Sequence, residues 1–160
     1  MNERVVKPAI GTPRPNIQWL ADQQLLAGHS AASFYAIGDR HARSAHLRAA
    51  FNGAALPVAP RILKHWSRAT GWSFPSGHAT SAFATLAFTA GLILLGASRR
   101  FRLLALPIAI WAAAICHSRV ILRVHSPLDV TVGALQGALL GLLALLIFWS
   151  QVRPRLVGPS

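Results

Sequence analysis

Three long apolar stretches set the pattern of this chain, and all of them fall in its second half. The first, 79–97 (ATSAFATLAFTAGLILLGA), carries no charge. A hydrocarbon core about 30 Å thick needs roughly 20 helical residues, so this stretch is long enough to cross one. The second, about 103–120, is apolar as far as Cys116 and contains Pro107, which kinks a helix but is tolerated in a membrane span. For this shorter stretch a buried core helix is the competing reading. The third, 130–149 (VTVGALQGALLGLLALLIFW), has full spanning length. On one of its faces Gly133, Gly137 and Gly141 recur every four residues, the spacing that lets helix backbones approach closely in lipid.

The first 78 residues hold no apolar run of spanning length. Pro8, Gly11, Pro13 and Pro15 predict an irregular start, and Met1–Pro15 has no apolar core of a signal peptide. Helices are predicted for 16–26 and 39–51. In the second, Arg40, Arg43 and Arg48 alternate with Ala and Leu, a face suited to anionic lipid. The predicted fold class is all-α, an integral membrane helical bundle forming one domain over 1–160, with 1–78 outside the cytoplasm.

Composition agrees with that picture. The chain is 53% hydrophobic and 12% charged, with a mean hydropathy of +0.43, which excludes a disordered basic tail. One cysteine, Cys116, excludes a disulfide-stapled domain. Sixteen basic against four acidic residues give a net charge of +12; charge alone would admit a nucleic-acid binder, but the hydropathy argues against it. Arg99, Arg100 and Arg102 between the first two spans, with Arg153 and Arg155 after the third, predict that those ends face the cytoplasm. The start of the first span and the 118–129 loop then share the outer face, where Arg119 and Arg123 run against the charge rule.

Three clusters ask for an oxyanion. Lys7 and Arg14, in a proline-stiffened segment, offer a point charge and a planar donor fork. Pro75-Ser76-Gly77-His78 stands just before the first span, where a helix N-terminus attracts anions. Gly77 admits a ligand close to the backbone, Ser76 donates a hydroxyl, and His78 is a proton donor at the membrane edge; a plain Ser76 N-cap shares that geometry. The third cluster runs Ser118-Arg119 to His125 and Asp129, the one acid after Asp39. Asp129 lies one helical turn from His125, where a carboxylate would fix the tautomer and leave Nε2 as base or nucleophile. Ser126-Pro127-Leu128-Asp129 also reads as an ordinary helix start. Arg119 near a membrane end needs a partner, and a phosphoryl group would be one. Two spans separate His78 from the third cluster, so all three clusters are expected at one membrane surface. No cysteine pair, HExxH or acidic pair is present for a metal, which favours phosphoryl transfer through histidine.

At these residues the sequence resembles the type 2 phosphatidic acid phosphatase (PAP2)/haloperoxidase superfamily. The family pattern is matched by Lys7-x6-Arg14-Pro15, Pro75-Ser76-Gly77-His78 and Ser118-Arg119-x5-His125-x3-Asp129, in order and with the right internal spacing. Arg14-Pro15-Asn-Ile-Gln-Trp19-Leu20, Phe34-Tyr35, and His65-Trp66 with Thr70-Gly71-Trp72-Ser73-Phe74 resemble its phosphatidylglycerophosphate phosphatase B branch. The resemblance implies three more spans ahead of the first motif. Met1 stands six residues before Lys7, which fits either a piece of a longer chain or a three-span form that pairs with a partner.

What the resemblance implies is a lipid phosphatase without a cofactor, in a bacterial inner membrane with its site on the outer face. His125 is the nucleophile, Asp129 stabilises its imidazolium, and His78 serves the leaving group. Lys7, Arg14, Ser76, Gly77 and Arg119 bind phosphate. The implied substrates are phosphatidylglycerophosphate, undecaprenyl diphosphate or phosphatidate. The rivals are a non-catalytic relative that binds lipid phosphate and a soluble peroxidase holding vanadate; the apolar stretches argue against the latter. Arg123, His117, Cys116 and Arg40 to Arg48 are expected to have interfacial or packing roles.

Overall fold

In the computed structural model, residues 7–53, 56–96 and 99–152 are described, and all of their regular structure is helical. The expected loop residue Ser98 and the tail residues Arg153 and Arg155 lie outside the described residues. The chain forms two compact units that cut across its order: residues 1–74 with 119–126, and residues 75–118 with 127–160.

The first unit holds five short helices: α1 (Lys7–Ile10), α2 (Pro15–Asp22), α3 (Ala31–Tyr35), α4 (Arg40–Phe51) and α5 (Pro60–Trp66). The predicted 16–26 helix is shorter than expected. It stops at Asp22, because Gln24 (φ 58°), Ala27 (φ 48°) and Gly28 (φ 82°) turn into the left-handed region and break the ladder. The 39–51 prediction fits closely. Asp39 Oδ1 caps α4 by accepting from the His41 and Ala42 amides, both at 2.9 Å, and the Ala42 N–H chiefly holds its carboxyl below the usual range. The core is formed by Ile17, Leu20, Leu26, Phe34, Leu47, Trp66 and Val124. Trp66 also donates its indole N–H to the Leu122 carbonyl at 2.8 Å, tying α5 to the 119–126 segment.

The second unit holds α6 (Gly77–Gly96), α7 (Ala105–Ile121, its last three residues counted with the first unit) and α8 (Pro127–Ile147). A 3₁₀ segment, Arg99–Leu104, leads into α7, and a π turn, Phe148–Val152, ends α8. Three helical segments, Gly77–Gly96, Arg99–Ile121 and Pro127–Gln151, are long and apolar enough to cross a membrane. These are the three spans expected, each with an end shifted by a few residues. Pro107 is the third residue of α7, in the first α-helical turn where proline is tolerated, and the helix continues through it.

The glycine stripe is the seam between α6 and α8. A Cβ on Gly137 would collide with the Thr80 carbonyl, one on Gly141 with the Ala84 carbonyl, and one on Gly133 with the Ser76 carbonyl. Lipid tails are as apolar as leucine, so close van der Waals contact rather than apolar burial holds such helices together. Leu145 packs in turn over Gly91. The leucines on the other faces, such as Leu139 and Leu146, stay exposed, as a lipid-facing surface requires. Gly137→Val should therefore destabilise the protein by about 1–3 kcal/mol through overpacking. Gly96→Ala, whose new Cβ would meet nothing within 4 Å, should cost far less. Thermal unfolding in detergent micelles compares the two.

Candidate active site

In the first unit, Arg14 and His125 are brought together across 111 positions of sequence. Pro15 restricts the residue before it to extended backbone, and Arg14 sits there at φ −73° and ψ 144°, immediately ahead of α2. Its guanidinium is held by two carbonyls: Nε donates to Gly71 O and Nη1 to Val124 O, both at 2.8 Å. Nη1 also lies 3.3 Å from His125 Nε2. A guanidinium can only donate, so Nε2 is the accepting nitrogen of a neutral ring and Nδ1 carries the proton. Nδ1 lies 3.4 Å from the hydroxyl of Ser73, which is itself fully buried.

The segment carrying His125 is shaped by the end of α7. Arg123 adopts φ 53°, a left-handed conformation that costs a non-glycine residue roughly 1–2 kcal/mol. It is stabilised there by the Asn16 amide, which donates to its carbonyl at 2.7 Å, and by Trp19, whose ring lies 5.5 Å beneath its guanidinium. The Val124 and His125 amides both return to the Arg119 carbonyl, at 3.1 and 3.3 Å. Lys7, in the one-turn α1, is 2% exposed, and Arg119 is half-buried.

Tyr35 supports Arg14. The Arg14 amide donates to its hydroxyl at 3.1 Å, and that hydroxyl donates to Gly71 O at 3.2 Å. The Tyr35 ring stacks on Trp72 with centroids 4.0 Å apart and planes 11° apart, while the Arg43 guanidinium lies 5.0 Å over it. Burial pushes the phenol above its ordinary value, against the opposing pull of the Arg14 amide and the Arg14 and Arg43 charges, so it keeps its proton as a donor. Sequence reasoning singled out Tyr35, Trp72 and Ser73 only as points of resemblance and gave them no role. Phe34-Tyr35 lies far from every motif in sequence, and no spacing rule leads to it.

His65 is a further residue that sequence reasoning left without a role. Burial depresses its imidazole below the ordinary 6.5, and the charges of Arg119, Arg14 and Arg68 depress it further. The first two of these belong to the predicted phosphate-binding set.

The second unit holds Ser76, Gly77, His78 and Asp129. Ser76 is fully buried at the N-terminus of α6, where its hydroxyl accepts from the Ala79 amide at 3.4 Å. The predicted N-cap is therefore present. The Ser76 amide donates to the Asp129 carbonyl at 3.0 Å, so the two motifs meet through the backbone. Asp129 is 1% exposed in the first turn of α8, which starts at Pro127 as the capping pattern predicted. A Cβ on Gly77 would meet nothing within 4 Å, and His78 is exposed. No group of three or more metal-ligating side chains occurs among the described residues.

The family model described as PAP2 superfamily matches residues 3–153. Phosphatidylglycerophosphatase B of Haemophilus influenzae is 34% identical over 125 residues, which cover 77% of this chain and 50% of that protein. Phosphatidylglycerophosphatase B of Escherichia coli K12 is 27% identical over 130 residues, covering 81% and 48%. The chain thus spans about half the length of these relatives.

Two outcomes follow from this geometry. Tyr35→Phe keeps the stack on Trp72 but leaves the Arg14 amide without its acceptor, and should cost about 1–2 kcal/mol in thermal unfolding. His65 has a folded value below its unfolded one, so its stabilising share is complete above the ordinary 6.5 and is lost as pH falls through the depressed value. The fall in unfolding midpoint from about pH 8 to about pH 5 should accordingly be smaller in His65→Gln than in the parent protein.

Proposed function

The chain belongs to the PAP2 superfamily, and from that premise we propose that it is a membrane lipid phosphatase working through a phosphohistidine. The observation that carries this reading is the 3.3 Å approach of the Arg14 guanidinium to His125 Nε2. The nucleophile and a donor for the phosphoryl oxygens stand side by side, so an arriving phosphoryl oxygen can take over the guanidinium N–H and release the Nε2 lone pair for attack on phosphorus.

In the proposed reaction His125 Nε2 attacks phosphorus and the bond to the oxygen of the lipid alcohol or lipid phosphate breaks. Lys7, Arg14 and Arg119, with the Ser76 hydroxyl and the Gly77 amide, hold the equatorial oxygens, where charge spreads in the transition state. Asp129 stabilises the imidazolium, and His78 gives its proton to the departing oxygen. Water then attacks the phosphohistidine, with His78 as base, releasing inorganic phosphate and restoring the neutral His125 ring. The two histidines start in opposite protonation states, so the rate against pH is bell-shaped.

The relatives are named for phosphatidylglycerophosphate hydrolysis, and that lipid is the first substrate to try. Phosphatidate is likewise a phosphomonoester, and undecaprenyl diphosphate offers a terminal phosphoryl group whose leaving oxygen belongs to the lipid monophosphate. The proposed location is the bacterial cytoplasmic membrane, with the chemistry on the outer face, because Arg99, Arg100 and Arg102 favour the cytoplasm for the opposite helix ends.

His125→Ala should lower phosphate release from phosphatidylglycerophosphate by about 10³-fold or more. It should also abolish the base-stable, acid-labile phosphoprotein formed in a rapid quench. A folded variant with near-parental turnover would remove His125 from the nucleophile's role.

A further inference from the structure

Arg48 of α4, Lys64 of α5 and Arg68 just beyond α5 have no part in the chemistry above, yet they converge. A cleft of about 830 Å³ opens between the C-terminal half of α4 and α5, within the first unit. Arg48, Lys64 and Arg68 line it, and no acidic residue does. Lys64 and Arg68 are four residues apart, one turn along α5 and its C-terminal extension. Phe51 and Leu63 supply an apolar wall.

One of these cations is fixed in place. Arg48 donates from Nε to Ser44 O at 3.2 Å and from Nη2 to Ser44 Oγ at 3.1 Å. Ser44 Oγ in turn donates to Ser67 O at 2.6 Å, bridging the two helices beneath the cleft, and both serines are buried. On the far side the Arg40 guanidinium holds the Arg68 carbonyl at 3.3 Å. The walls are therefore cross-linked by hydrogen bonds, and the cleft is a formed site.

Three like charges in one concavity repel one another, and an anion bound among them relieves that repulsion. The Arg68 guanidinium, the Lys64 ammonium and the Arg48 N–H groups not engaged with Ser44 can donate to the oxygens of a phosphate, and the volume suits a small organic ligand. We propose that this cleft is a second anion site, separate from the residues assigned to catalysis, which binds a phosphate group next to an apolar moiety. The phosphodiester of an anionic glycerophospholipid headgroup has that chemistry, and free phosphate has its charged part.

The test counts ligands bound to the purified chain in a neutral detergent. Native mass spectrometry reads dihexanoylphosphatidylglycerol and the zwitterionic dihexanoylphosphatidylcholine, and equilibrium dialysis reads radiolabelled inorganic phosphate. K64Q/R68Q should lose one bound equivalent or bind about tenfold more weakly. Arg61→Gln, on α5 but outside the cleft, should bind like the parent. Preference for the glycerol lipid over both other probes assigns the site to a headgroup; equal binding of inorganic phosphate assigns it to the free anion. Lys7, Arg14 and Arg119 are intact in every protein compared, so anions they hold cancel. No turnover is read, so the outcome is independent of the phosphatase reading. Matching thermal unfolding of K64Q/R68Q and the parent, and an intermediate loss in Lys64→Gln alone, separate lost binding from lost fold. Binding by K64Q/R68Q at the parental level and affinity would overturn the proposal.

Discussion

The grip of the Arg14 guanidinium on Gly71 O and Val124 O is the contact on which the placement of His125 in the first unit depends. It joins three segments far apart in sequence: the start of α2, the turn before Ser73, and the strand of chain bearing His125. Hydrogen bonds from a charged donor to buried carbonyls are stronger than neutral ones, and the planar fork fixes direction as well as distance. Lysine at this position would lack the planar fork that donates to both carbonyls and reaches the imidazole. Tyr35 adds a fourth anchor by binding the Arg14 amide and the same Gly71 carbonyl, and Trp72 holds Tyr35 flat. The cation is therefore positioned by protein dipoles before any anion arrives, the condition under which electrostatic stabilisation costs no reorganisation.

In the second unit the controlling contact is apolar. Gly133, Gly137 and Gly141 bring α8 against the α6 backbone, and the first of them rests on the Ser76 carbonyl. The amide of the same residue donates to the Asp129 carbonyl. The seam that joins the helices thus also sets the turn that carries Ser76, Gly77 and His78. A side chain at Gly133 would shift that turn directly, whereas one at Gly141 would act two helical turns away.

The charge of +12 resolves into separate uses. Arg14 is bound to carbonyls, and Arg43 and Arg123 lie over aromatic rings. Arg48, Lys64 and Arg68 share a cleft with no acid in it. Basic residues that look alike in a composition differ in what surrounds them, and their surroundings decide which can take a ligand. The depressed imidazole of His65 reports the same thing, since beyond its burial it responds to the charges of Arg119, Arg14 and Arg68.

The sequence by itself determined the helical class, the three apolar segments, the close-contact face of α8, and the helix starts at Ser76 and Pro127. Each of these is local: it follows from run length, four-residue periodicity or the capping preferences of a few neighbours. It also singled out the motif residues, because their spacing matched a family. Only the tertiary structure decided that Arg14 meets His125, that Tyr35 and Ser73 belong beside them, and that α2 ends at Asp22. The end of α2 depends on left-handed backbone at Gln24 and Ala27, which neither residue type announces. The meeting of Arg14 with His125 depends on which carbonyls come within 3 Å of a guanidinium after the chain has closed separations of 57 and 110 residues. Local propensity carries no information about contacts of that range.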